Sequence, residues 1–148
     1  MNYWIFVVKD QKVDDESMKG IEIYNRRMED EFWGLDENIP YRKILSKGDR
    51  VVFYLAAPYK KLIGTADLST SLKPLDEDDK RKFIHSKILS ADYGAKLEKV
   101  NIWNNHRNFE DYIDSLEFIE NKQNWGAHLT GGISKISEDD IRLLIEFR

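Results

Sequence analysis

The sequence of 148 residues contains no cysteine, so disulfide bonds, cysteine zinc sites and catalysis by a thiol are excluded. It also lacks a run of about 18 apolar residues, which a transmembrane helix needs. Its first residues carry neither the basic charge nor the small-residue cleavage site of a signal peptide. These absences predict a cytoplasmic protein with no membrane partner.

Motifs of several enzyme classes are also missing. The sequence contains no Gly-x-Ser-x-Gly, no Walker A loop and no His-Glu-x-x-His. Its three histidines, His85, His106 and His128, do not have the spacing of metal ligands. We therefore predict no catalytic residue, no metal and no cofactor, and we favour a binding module over an enzyme.

Neither an internal repeat nor a low-complexity segment interrupts the chain. Its length predicts one domain over residues 1–148, which should bury about 68–70% of its unfolded surface. Apolar residues make up 41% and charged residues 34% of the sequence, as in ordinary soluble globular proteins. We expect a monomer.

The net charge of −4 argues against a protein that coats DNA or an anionic membrane. Basic residues are nevertheless concentrated between Tyr41 and Leu62, where Asp49 is the one acidic residue. This local surplus predicts contacts with a few phosphates, and a solvated face is the alternative. The basic residues are Arg42, Lys43, Lys47, Arg50, Lys60 and Lys61.

Three segments predict one curved sheet. Tyr3–Val8 and Val51–Ala56 are apolar at every position, which is typical of strands that are covered on both faces. Leu62–Leu68 follows a short connection with Pro58 and should run antiparallel to the preceding strand. Gly64 and Ala66 share one face of it, which predicts close approach of a packed element, with a ligand as the alternative.

The remaining segments predict helices around this sheet. Apolar residues at helical spacing indicate helices from about Glu16 to Glu29 and from about Leu75 to Ala91, with a strand over Ile84–Ser90 as the alternative. Ser137 and Asp140 form a capping box before a final helix. The predicted class is α+β, a small, mixed, partly closed β-barrel flanked by helices. Further expectations are a strand over Lys96–Trp103, a turn over 104–108, a short helix or arm over Phe109–Ile113, a loop with a helical turn over Asn121–Gly132, and a strand over Ile133–Ile136.

Several motifs along the whole chain resemble one family. They are YWIFVV at the start, Trp33-Gly34, GDRVVFYL, IGTADLS, and the C-terminal stretch LEFIENKQNWGAHLTGGISKISEDD. Together they resemble the EVE domain family of the PUA-like superfamily, which is related to YTH domains. The resemblance implies a PUA-like barrel with an aromatic pocket for a modified base of DNA or RNA.

The resemblance also implies where this pocket lies. Trp33-Gly34 stands at the position of the first cage tryptophan of YTH domains, and Lys9-Asp10 would lie beside the same pocket. The later cage aromatics of YTH domains follow the second hairpin strand, but residues 69–92 contain no tryptophan. Tyr93 and Trp103 are the possible substitutes.

Aromatic side chains make up 12% of the sequence and suit stacking on a base. We assign Trp4 and Phe53 to the core. Trp33 follows an acidic run and precedes a glycine, so we expect its ring to line a pocket and to be partly exposed, with space left by Gly34. Trp125 and His128 are further candidate ligand contacts, and the alternative is that they anchor their loop.

These residues lead to one functional hypothesis and two rivals. The hypothesis is a module that binds a modified nucleic acid or nucleoside, with Arg42, Lys43, Lys60 and Lys61 at flanking phosphates. The first rival is a PUA-like amidohydrolase that acts on a modified nucleoside through Lys47, Thr65 and Glu117. The second rival is a protein-interaction domain.

Overall fold

The computed structural model describes residues 1–13, 16–35, 43–82, 93–129 and 132–146. The strands are β1 Tyr3–Val8, β2 Gln11–Val13, β3 Glu16–Met18, β4 Phe32–Leu35, β5 Arg50–Leu55, β6 Lys61–Leu68, β7 Lys73–Pro74, β8 Tyr93–Asn108 and β9 Ile133–Ile136. The α-helices are α1 Gly20–Asp30, α2 Glu77–Lys82 and α3 Glu138–Glu146, and two 3-10 helices cover Phe109–Ser115 and Trp125–Leu129.

Seven strands of the described residues form one strongly curled sheet, a half-barrel flanked by helices. Its order is β4-β8-β6-β5-β1-β9, and β7 also pairs with β8. β1 and β5 are parallel, whereas β5 and β6 are antiparallel. The predicted α+β class and the predicted sheet of β1, β5 and β6 are therefore confirmed. Within the described ranges, no helix is both long enough and apolar enough to cross a membrane.

The sheet is buried on both faces because its central strands are apolar at consecutive positions. On one side, which we call the Trp33 face, Phe6 and Phe53 pack with Trp33 and with the inner side chains of α1. On the other side, which we call the Trp125 face, Tyr54 packs with the 3-10 helices and α3, and Trp125 joins this cluster. Successive residues of a strand point to opposite faces, so each central strand contributes to both cores.

The first helix starts later than its sequence pattern indicates. Glu16–Met18 pairs with Gln11–Val13 as a small hairpin, and α1 begins at Gly20. The Asp10 carboxylate accepts a hydrogen bond from the Gly20 amide at 2.7 Å. A Cβ on Gly20 would lie 2.9 Å from Leu55 and 3.1 Å from the Lys9 backbone, so this glycine allows the helix to start against β1 and β5.

The strand predicted over 96–103 is longer than expected, and the turn predicted over 104–108 is wrong. β8 continues to Asn108, which pairs with Lys61 on β6. The pairing shifts from Leu62 opposite Arg107 to Gly64 opposite Ile102, so the extra residues of β8 form a bulge. The polar run therefore bends the strand and does not end it.

The final helix begins as predicted. The Asp140 amide donates to Ser137 Oγ at 3.1 Å. The Asp140 carboxylate does not complete a reciprocal capping box, because it accepts from the amides of Glu117 and Phe118 at 2.8 and 3.0 Å. Ile141 and Leu144 of this helix are buried, and Ile145 is half-buried. α2 confirms the start of the second predicted helix, while residues 83–91, including the alternative strand Ile84–Ser90, lie outside the described residues.

Candidate functional site

Trp33 lies in the middle of a buried aromatic cluster. It belongs to β4, opposite Ala95 of β8, and its exposure is 1%. Its ring centroid is 4.9 Å from that of Phe53 and 5.6 Å from that of Phe6. The guanidinium carbon of Arg27, on α1, lies 4.2 Å from the same centroid. Hydrocarbon rings and a stacked cation therefore enclose Trp33.

The prediction of a partly exposed Trp33 ring is wrong, because the ring belongs to the buried core. The reason is that residues 32–35 form a paired strand, which α1 covers. The expected role of Gly34 also changes. Because adjacent residues of a strand point to opposite faces, Gly34 does not open space on the face where the Trp33 ring lies.

The pairing of β4 with the start of β8 brings three of the predicted ligand contacts together. Gly34 is paired with Gly94, and Leu35 is paired with Tyr93, which is half-buried. A Cβ on Gly94 would collide with the ring of Phe32, so that glycine provides room for this aromatic side chain. Trp33, Gly34 and Tyr93 thus lie within two register positions of one another.

Lys9 and Asp10 lie at the other end of α1. Both are exposed, and Asp10 is bonded to the first turn of the helix. From Gly20 to Arg27 the helix advances about 10 Å. Lys9, Asp10 and the Trp33 cluster therefore border the same helix, although the carboxylate of Asp10 is already engaged in holding its start.

Trp103, Trp125 and His128 lie on the Trp125 face, so the structure does not gather all predicted ligand contacts in one pocket. Trp125 packs on Phe109 with centroids 5.4 Å apart. His128 Nε2 accepts from the Asn121 amide at 3.3 Å. These contacts support the alternative that both residues anchor their loop. The predicted ligand contacts do not share one pocket because the sheet lies between them and is packed on both faces.

Trp103 takes part in a clamp on the last helix. The Arg107 guanidinium carbon lies 4.1 Å from its ring centroid. Arg107 Nη1 donates to the carbonyl oxygens of Leu144 and Ile145 at 2.5 and 2.8 Å. These carbonyls belong to the last turns of α3, where a positive charge is favourable. The bulged part of β8 therefore holds α3 in place.

The predicted phosphate contacts lie at two ends of the β5–β6 hairpin. Lys43 is exposed before β5, whereas Lys60 and Lys61 lie at the hairpin tip. The six residues of β5 separate these ends by about 20 Å. Lys60 Nζ is 3.3 Å from a Glu110 carboxylate oxygen, and Lys61 donates to Asn108. Arg42 lies outside the described residues.

Beside Lys60 the surface has a cavity of about 270 Å³. It is lined by Pro58, Tyr59, Lys60, Asn108, Glu110 and Asp111. At the opposite end of the hairpin, Arg50 is bonded to Asp67 at 3.0 Å, and this hydrogen bond raises the pKa of the guanidinium. Acidic partners thus offset part of the basic surplus at both ends.

Sequence reasoning missed two residues of the Trp33 face. Arg27 is only 7% exposed, and Tyr24 is fully buried. Burial raises the pKa of Tyr24, whose hydroxyl has no hydrogen-bond partner among the residues that the structure describes. The available signal was the position of Arg27, four residues after Ile23 and three after Tyr24. Residues at these separations lie on the same side of a helix.

The residues of the amidohydrolase alternative are not joined in the described parts of the chain. Lys47 is exposed before β5, and Thr65 lies on β6. Glu117 accepts a hydrogen bond from Ser137 Oγ at 3.4 Å. No hydrogen bond or ion pair connects any two of the three residues within the described ranges.

The sequence matches no protein-family model and no curated protein sequence. Solved structures, in contrast, share its fold over almost its full length. Human THYN1, solved in complex with DNA that contains 5-methylcytosine, is 10% identical to this chain. The two structures align with a TM-score of 0.64, and the alignment covers 99% of this chain and 96% of THYN1. The YTH domain of Zygosaccharomyces rouxii MRB1, solved with N6-methyladenosine RNA, is 12% identical with a TM-score of 0.59, covering 97% and 85%.

A third similar structure is that of a mutant ZmASCH protein from Zymomonas mobilis, which is 11% identical with a TM-score of 0.57 and is matched over 99% of both chains. At these identities the likeness establishes the fold alone. The chain therefore has the fold of the PUA-like superfamily.

Proposed function

We propose that this protein is an EVE-type, YTH-related module that binds a modified base in DNA or RNA. The observation that carries the proposal is the fold, which the chain shares over at least 97% of its length with two proteins solved with methylated nucleic acids. The motifs around Trp33 and in the C-terminal stretch support the same assignment. We further propose that it acts as a single domain, as a monomer and in the cytoplasm.

The proposed site is the region where β4 ends and β8 begins, next to α1. Trp33 supplies the aromatic ring, Gly34 and Tyr93 lie beside it in register, and Lys9 and Asp10 border the same helix. Stacking on a tryptophan contributes about 1–3 kcal/mol per base. Because Trp33 is enclosed, a base reaches its ring only after a neighbouring side chain moves.

Flanking phosphates would meet the basic residues Arg42, Lys43, Lys60 and Lys61. Each exposed lysine adds electrostatic attraction without reading a base. Changing Lys60 and Lys61 to Ala together should weaken binding of all oligonucleotides alike and flatten its salt dependence. An unchanged salt slope would place the nucleic acid away from the hairpin tip.

The test compares oligonucleotides that differ in one base. Single-stranded and duplex DNA and RNA, each with one 5-methylcytosine or one N6-methyladenosine, are titrated against their unmodified counterparts. We expect tighter binding of one modified strand. Trp33→Phe keeps a packed ring but reduces the stacking area, and should weaken that preference several-fold.

Trp125→Phe is the matched control, because it makes the same change on the other face of the sheet. It should leave the preference for the modified strand unchanged. Equal affinity for modified and unmodified strands would refute the proposed function. Equal effects of the two Trp→Phe changes would refute the location of the site.

A further inference from the structure

Arg27 occupies an unusual position for an arginine. It lies in the last turns of α1, and only 7% of it is exposed. Arginine side chains in proteins are mostly exposed. Its neighbour Arg26 is exposed, as are Asn25 and Glu29. The helix therefore turns one of two consecutive arginines toward the sheet.

The guanidinium of Arg27 makes the kind of contact with Trp33 that a base would make. Its central carbon is 4.2 Å from the ring centroid, the distance of a planar group stacked on an aromatic face. The nearest aromatic neighbours of the ring, Phe53 and Phe6, belong to the central strands β5 and β1. Those strands are fixed by pairing on both sides, so the arginine is the contact that can move.

We infer that Arg27 holds the place of the base on Trp33 and is displaced by it. This inference rests on the proposed function. The side chain is long and is attached to the outer helix, so a rotation about its own bonds can carry the guanidinium to the surface beside the site. There it would meet a phosphate of the bound strand, which guanidinium groups bind through two parallel hydrogen bonds.

This exchange should affect the affinity for a free nucleoside and the affinity for a strand in opposite ways. A free nucleoside must displace Arg27 and offers no phosphate in return. A strand must displace the same side chain but gains an ionic contact. Removing the guanidinium should therefore help the nucleoside and weaken the salt-dependent part of strand binding. A purely structural arginine would change both affinities in the same direction.

The experiment measures Arg27→Gln beside the matched variant Arg26→Gln. The probes are the nucleosides N6-methyladenosine and 5-methyldeoxycytidine, and single strands that contain one of either base. For the nucleoside that the wild type binds, Arg27→Gln should raise the affinity about three- to thirtyfold, the range expected when a competing cation–π contact is lost. The salt slope for the strand should fall by about 0.7, one phosphate contact.

Arg27→Lys tests the same inference with the charge retained. Lysine lacks the planar fork, so nucleoside affinity should rise while the salt slope of the strand stays at the wild-type value. If thermal unfolding shows that Arg27→Gln does not fold, Arg27→Lys takes its place in the experiment. Arg26→Gln should leave nucleoside affinity unchanged.

The outcomes separate the inference from the proposed function. If the wild type binds no modified nucleoside or strand, both are refuted. If the wild type binds but both Arg27 variants leave nucleoside affinity unchanged or lower it, the proposed function stands and the displacement of Arg27 is refuted. A change of the same size in Arg26→Gln would also refute it.

Discussion

The two faces of the sheet contain the same pairing of a tryptophan with a basic side chain, in different surroundings. On the Trp33 face, Arg27 and Trp33 are 7% and 1% exposed. On the Trp125 face, Lys60 lies 5.6 Å from the Trp125 centroid but is 42% exposed and paired with Glu110. A cation over a ring contributes more when both groups are removed from water, so only the first pair should act strongly on stability or binding.

The elements that carry the two tryptophans explain this difference. Trp33 lies in a strand that is paired with β8 and covered by α1. Trp125 begins a short 3-10 helix whose neighbours Asn124 and Gly126 are exposed. A strand inside a sheet has both faces available for burial, whereas a short helix at the rim keeps one side in water.

The largest expected effect is the stability loss caused by Trp33→Ala. Removing this enclosed ring should lower the free energy of unfolding by about 3–5 kcal/mol. Trp125→Ala should cost less, roughly 1–2 kcal/mol, because part of that ring is already in water. Urea unfolding of both variants measures the difference. Equal losses would show that the two faces are equally important to the fold.

Gly64→Ala should be the next most damaging change. A Cβ at this position would run into the Tyr24 hydroxyl and lie 2.5 Å from the carbonyl oxygen of Asn101. Because a backbone carbonyl in a paired strand cannot swing aside, the cost should reach about 3 kcal/mol. The control is Gly126→Ala, where no atom lies within 4 Å. Unfolding curves that show a mild effect of Gly64→Ala would mean that α1 can shift away from the sheet.

Each face also contains a buried tyrosine, Tyr54 on the Trp125 face and Tyr24 on the Trp33 face, which should make stability fall at alkaline pH. Burial raises the pKa of Tyr54 to about 12, and Glu110 adds to the shift. The unfolded chain releases this proton near pH 10. The contribution of Tyr54 is therefore complete below about pH 10 and is lost as the pH rises through about 12, on the order of 2 kcal/mol.

Comparing the unfolding free energies of the wild type and Tyr54→Phe at neutral and alkaline pH measures this effect. The gap between them should shift in favour of the variant as the pH rises. Tyr24→Phe should show the same trend, since burial raises the pKa of Tyr24 as well. A gap that does not change with pH would mean that Tyr54 is solvated in solution.

The smallest effect concerns α3, which covers the Trp125 face. Ser137→Ala removes the bond to the Asp140 amide and should cost about 0.5–2 kcal/mol. Ser137→Asp retains an N-cap and should cost little. Nucleic-acid affinity should be unchanged in both variants. Weaker binding at wild-type stability would show that this end of the Trp125 face takes part in recognition.

Local patterns predicted the central part of the fold. Consecutive apolar residues identified β1 and β5, because only a strand covered on both faces accepts such a run. The short connection with Pro58 identified β6 as the antiparallel strand that follows β5. The pair Gly64 and Ala66 correctly indicated a close approach, and Tyr24 of α1 is the element that packs there. The N-cap at Ser137 was also predicted, since a cap depends on residues only three positions apart.

Predictions were wrong where the decisive contacts join distant residues. The segment Phe32–Leu35 is too short to show its period, and its pairing with residues 93–96 decides that it is a strand. The same pairing encloses Trp33 and turns Gly34 to the opposite face. The polar run after Trp103 continues β8 because a bulge against β6 absorbs it.

Composition and short-range periodicity were enough to determine the class of fold, the central strands and the absence of cysteine chemistry, because these are local properties of the chain. Packing between distant elements decided which aromatic residues share a face. Burial depends on what packs across the sheet, and no local pattern shows that α1 brings Arg27 onto Trp33 or that the packed sheet separates Trp33 from Trp125. The function of an aromatic ring depends on those neighbours, since they decide whether a base can reach it.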